Sequence, residues 1–143
     1  MALGDQVTRL YTRLQAYPGI KSVWLPMPDD FPEGGTLPAF GISFGQFEAL
    51  SSNVTVFDYP IVVTYLHESF PEDWNYQLPA AVMDMPQNLF AWLAADSALV
   101  HNAYGIDFAQ PAGNVGITEW WDRTYAGCDL YIRLKEKVNT AWA

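Results

Sequence analysis

Cysteine is nearly absent: Cys128 is the single one in 143 residues, which excludes an internal disulfide and any cysteine-rich zinc site. Basic residues are scarce too. Seven Lys and Arg stand against 16 Asp and Glu, a formal net charge of −9, so nothing supplies the basic stripe that gripping a phosphate backbone demands. No apolar run approaches the ~20 residues of a membrane span, and the start Met1-Ala2-Leu3-Gly4-Asp5-Gln6 lacks a basic segment followed by an apolar one. The expectation is a soluble protein assembled in a reducing cytoplasm, without a cleaved leader or a membrane contact. Also missing are the Gly-rich dinucleotide and P-loop patterns, the H-E-x-x-H pair and the calcium-loop pattern. No cofactor or metal is expected. The densest acidic cluster, Asp29, Asp30 and Glu33, and the pair His67-Glu68 lack ligand-motif spacing and read as solvated groups.

What is present is apolar and aromatic. Half the residues are hydrophobic, with six Trp, eight Tyr and eight Phe, enough to pack one domain over residues 1–143 and to leave aromatics for an interface. Leu3, Val7, Leu10, Leu14 and Tyr17 fall three or four apart and predict an amphipathic helix that stops at Pro18-Gly19. A short strand follows over 21–25. The stretch 26–36 holds three prolines, two glycines and three acids, and is a loop. A long alternating run from Val54 to His67 predicts a strand that pairs with its predecessor across 48–53, with Pro60 at an edge, bulge or break because it has no N–H. Pro86 opens a second helix with Leu89, Phe90, Leu93 and Ala94 as its buried stripe. Two strands close the chain, turning near Tyr125-Ala126-Gly127, with Trp120 and Trp121 on opposite faces and Cys128 in the core. The class is α+β: a mainly antiparallel sheet of about four to five strands in two hairpins, covered on one face by two helices.

The segment Gly41-Ile42-Ser43-Phe44-Gly45 matches G-x-S-x-G, the nucleophile elbow of α/β-hydrolases. An elbow needs a strained turn at the serine and a helix after it. Phe40, Ile42 and Phe44 instead alternate with Gly41, Ser43 and Gly45 straight through the motif, the period of a strand. The small residues then let another backbone or a helix approach the sheet closely, and no catalytic residue is assigned.

The N-terminal amphipathic helix, the run Pro18-Gly19-Ile20-Lys21-Ser22-Val23, the Pro-rich loop closed by Leu37-Pro38-Ala39 and the late hairpin with Tyr125-Ala126-Gly127-Cys128-Asp129-Leu130 together resemble the tail terminator (tail completion) proteins of long-tailed bacteriophages and related head–tail joining proteins. The resemblance covers most of the chain as an order of elements. It implies a non-enzymatic virion protein of the tail or neck that forms a homo-hexameric ring, caps the tail tube protein, stops its polymerisation and offers a surface to the head completion or connector protein. DNA would pass through without specific binding. Six copies would carry a formal charge of about −54, which repels passing DNA. Phe31, Trp120, Trp121, Asp29, Asp30 and Glu33 are the interface candidates, the acids facing solvent or the channel. Two other classes remain open: a small serine hydrolase using Ser43, and a monomeric binding module with an aromatic surface.

Overall fold

The computed structural model describes residues 3–30, 36–45, 48–49, 55–69, 78–97, 99 and 106–138. The elements run α1 (Leu3–Gln15), β1 (Ser22–Trp24), β2 (Ala39–Phe44), β3 (Glu48–Ala49), β4 (Thr55–Ser69), α2 (Ala80–Met83), α3 (Met85–Ala94), β5 (Ile106–Trp120) and β6 (Arg123–Val138). The class is α+β, as the sequence indicated. One sheet has the order β1-β2-β4-β6-β5, with β3 pairing β4 off that path. All pairings are antiparallel except β1 with β2, which is parallel, so the sheet is mixed. The two hairpins are thus the long arms of one sheet, joined through the β4–β6 ladder.

Helices cover one face. Val7, Leu10 and Leu14 of α1 and Met85, Leu89 and Leu93 of α3 meet Phe40 and Ile42 of β2, Ile61, Val63 and Tyr65 of β4, and the even-numbered residues Ala126 to Leu134 of β6. Each fully buried aliphatic chain contributes about 2 kcal/mol relative to exposure. The two helices are latched together on their outer side. Arg13 donates two hydrogen bonds to the Trp92 carbonyl at 3.0 and 2.9 Å, its guanidinium lies 3.9 Å from the centre of the Trp92 ring, and Trp92 Nε1 donates back to the Arg13 carbonyl at 2.9 Å. That carbonyl belongs to the last turn of α1, where no intrahelical donor remains. Arg9 adds an exposed ion pair with Asp96 at 2.9 Å, worth under about 1 kcal/mol.

Pro60 shows how the sheet accommodates a missing donor. It lies inside β4, flanked by β2 on one side and β6 on the other. Its carbonyl accepts from Gly45 N at 2.9 Å, and since N and O of a strand residue point the same way, its missing N–H also faces β2. The ladder breaks there: β2 ends at Phe44 and pairing resumes at β3, one residue out of step. The unbroken β6 side holds the strand.

Several boundaries differ from the sequence expectation. The second helix is preceded by the short α2, and the Pro60 break creates β3. The turn of the last hairpin is not at Tyr125-Ala126-Gly127, which lie inside β6, but at Trp121-Asp122. Both turn residues have left-handed backbone, φ 52° and 59°, the type I′ geometry whose twist matches that of the flanking strands. Trp121 is therefore not the next strand residue after Trp120, and the two rings do not point to opposite faces. They lie side by side, centroids 5.8 Å apart. The hairpin turn expected over 48–53 and the loop over 69–77 lie mostly outside the described residues.

Candidate functional site

The face of the sheet turned away from the helices carries a second, smaller core. Met27, Leu66 and Tyr125 are buried there, with Trp24, Leu37, Trp120 and Trp121 packed around them. Gly41 explains how the loop after β1 comes down onto this face. A Cβ at that position would run into the Met27 side chain, Sδ first, so glycine lets the methionine lie there without shifting. At Gly41 the close approach is thus made by a loop side chain, not by a helix or a second backbone.

Trp121 ties the hairpin tip to that loop. Its indole Nε1 donates to the Pro28 carbonyl at 2.7 Å, and its ring stands edge-on to Trp24 at 5.7 Å and to Tyr125 at 6.0 Å. A bulky residue in the left-handed region is strained, and these contacts are what hold it. The turn, the loop and the end of β2 enclose an open cavity of about 530 Å³, lined among others by Met27, Asp29, Ser43, Phe44, Trp120 and Asp122. A second, more apolar cavity of about 360 Å³ lies between α3 and β5, with Pro86, Phe90, Val115 and Leu130 in its wall.

Among the interface candidates, Trp120 and Trp121 are half-buried at the hairpin tip, and Asp29 and Asp30 are exposed in the loop after Pro28. The structure brings Asp29 to the same cavity as both tryptophans. Phe31 and Glu33 lie outside the described residues. The sequence reading missed Asp122, Trp24 and the Pro28 carbonyl. Asp122 was legible as a turn residue, because Asp tolerates left-handed backbone; the Pro28 carbonyl left no signal, since a backbone acceptor is not a residue type.

Ser43 sits within β2, registered against Val62 of β4 with Ile42 and Phe44 paired on either side. Among the described residues no strand-turn-helix elbow is present at this position. Cys128 is buried, and burial, with the Asp129 charge second, pushes its thiol up to about 12, so it remains a protonated core residue near neutral pH. Tyr65 is likewise pushed up to about 12, chiefly by burial and then by Cys128, Tyr17 and Glu68. Its hydroxyl shares a 2.6 Å hydrogen bond with His67 Nδ1. His67 is the extra residue of a bulge, since Leu66 pairs with Gly127 and Glu68 with Ala126. Among the described residues, no three His, Cys, Asp or Glu side chains gather as a metal-holding group, and no helix is long and apolar enough to cross a membrane. On the face turned away from the helices Thr64 donates to Asp129 at 2.8 Å and Asn114 to the Tyr131 hydroxyl at 2.7 Å, cross-strand pairs that satisfy these groups without a ligand. The chain matches no protein-family model and no curated protein.

Proposed function

We propose that this chain is a structural subunit of a closed ring, and that the ring is a phage tail terminator: it caps the tail tube, stops addition of tube subunits and offers its other side to a head completion protein. The observation that carries the reading is the outer strand of the sheet. β5 is 15 residues long and forms an edge, yet Val115 and Ile117, which share the core-facing side with Cys128 and Ala126 in register, are 52% and 59% exposed. Met83 of the neighbouring α2 is 55% exposed. A long edge with uncovered apolar side chains is what a partner strand or helix covers. Supporting it are the resemblance of the N-terminal half of the sequence to the terminator proteins and the net charge of −9, which suits a channel that DNA must traverse. The role is geometric and non-enzymatic. The exposed acids Asp29 and Asp30 face solvent or the channel, the tryptophans serve contacts, and the ring belongs to the neck or tail of the virion.

The test is mass by light scattering with electron micrographs of the same fractions. Six copies of a 16.1 kDa chain give about 97 kDa, and Ile117→Lys should yield a folded monomer. The purified protein should also halt elongation of its cognate tube protein. A monomer at every concentration, or rings undisturbed by Ile117→Lys, would sink the reading. One observation favours a second reading, a monomeric binding module: the cavity beside Trp120 and Trp121 is lined by aromatic rings and carboxylates. A monomeric mass with ligand-dependent tryptophan signals would select it.

A further inference from the structure

The geometry points to a binding site for a cationic side chain, an arginine or lysine of a basic segment in a different protein, in the cavity between the β5–β6 turn and the loop after β1. Three observations converge on it. The first is chemical. The polar side chains in the wall are the carboxylates of Asp29 and Asp122 and the hydroxyl of Ser43, and beside them stand the rings of Phe44, Trp120 and Trp121. Carboxylates accept charge-assisted hydrogen bonds and indole faces attract cations, so the lining offers both halves of guanidinium or ammonium recognition. No Lys or Arg is among the lining residues, and Arg123, opposite Trp120 in the ladder, is not one of them.

The second is conformational. A two-residue turn of this type is ordinarily Asn-Gly or Asp-Gly. Here Trp121 and Asp122 occupy both left-handed positions, which places an aromatic and an acidic side chain together at the tip. Trp121 is fastened to Pro28 and Trp24, so it braces the loop that carries Asp29, while Phe44, 48% exposed, forms an open apolar lip. Backbone strain of this kind concentrates at functional sites.

The third is charge balance. The chain has 16 acids and seven basic residues, and two of those seven are engaged in the α1–α3 latch, Arg9 with Asp96 and Arg13 with Trp92. A second copy brings the same −9, so the cation is more readily supplied by a basic partner of another kind. The site does not depend on ring formation, and it can be probed on the isolated chain.

The test uses N-acetyl-arginine amide, with the neutral N-acetyl-citrulline amide as its isostere, followed through the indole N–H signals of Trp120 and Trp121 in nuclear magnetic resonance spectra. The arginine probe should shift both signals saturably. The citrulline probe should not, and added salt should weaken the response. Asp29→Asn with Asp122→Asn should lower the affinity at least about fivefold while leaving the spectrum of the core unchanged, as loss of charge-assisted contacts requires. Trp120→Leu supplies an independent variant outside the strained turn and should weaken binding as well. Equal shifts with citrulline, or affinity unchanged in the double Asn variant, would overturn the site. Indole signals that move on simple dilution of the protein would show that a second copy fills the cavity, and would overturn the assignment to a different protein.

Discussion

Replacing Trp121 by Asn separates the two forces that meet in the hairpin turn. The backbone at this residue, φ 52°, costs a bulky L-residue about 1 kcal/mol and is readily adopted by asparagine, so the turn itself gains from the change. Against that stands the loss of the 2.7 Å bond from the indole to Pro28, about 1 kcal/mol. The edge-on contacts with Trp24 and Tyr125 are lost too. Truncating a wholly buried Trp costs about 3–5 kcal/mol, and for this half-buried ring about 2 kcal/mol is the better figure. The variant should be less stable by about 2 kcal/mol, read as a fall of about 1 M in the urea midpoint at an unchanged slope of about 2 kcal/mol/M. Trp121→Phe keeps a ring and the strained backbone and loses the donor alone, so it should lose about half as much. Amide exchange should rise in 25–30 in the Asn variant and much less in β6. A Trp121→Asn protein as stable as its parent would refute the claim that the ring holds the turn and the loop together.

Gly127→Ala should be among the most damaging single changes: a Cβ there would lie 2.1 Å from the Tyr65 carbonyl oxygen, so β4 and β6 must part, at a cost of about 3 kcal/mol measurable by thermal unfolding; a melting temperature within a degree or two of the parent's would refute the register. Tyr125→Phe should be neutral or stabilising by up to about 1 kcal/mol, because the buried Tyr125 hydroxyl has no hydrogen-bond partner among the described residues; a loss of a full kcal/mol would reveal a partner. Alkaline pH should destabilise the fold through Cys128 and Tyr65, both pushed up to about 12. The folded state then holds protons that the unfolded chain releases, so their contribution is complete below about pH 9 and is lost as pH rises toward 12. Cys128→Ala should flatten that profile in urea titrations at pH 9 to 11, and an unchanged profile would count against a buried thiol.

The sequence alone determined the class and nearly all the elements. Amphipathic spacing in α1, Pro86 at the start of α3 and the alternations of β4 and β6 are local signals, and local signals survive into any fold that buries those faces. The even-numbered face of β6, with Cys128 in it, was legible for the same reason. Ser43 was likewise legible as a strand residue because its neighbours alternate through it. What only tertiary structure decided is where period two stops. Trp120 and Trp121 read as consecutive strand residues, since nothing in a Trp-Trp-Asp-Arg stretch forces left-handed backbone; the Pro28 carbonyl and the Trp24 ring, about a hundred residues away in sequence, hold it there. The parallel pairing of β1 with β2 was equally hidden, because strand direction depends on how the 25–38 connection returns and not on side-chain alternation. The cavity at the hairpin tip follows from both: Gly41 admits Met27, the loop settles on the sheet, and Asp29 arrives beside Trp120 and Asp122. Its residues come from three separate segments, and contacts between segments far apart in sequence leave no periodic trace within any one of them.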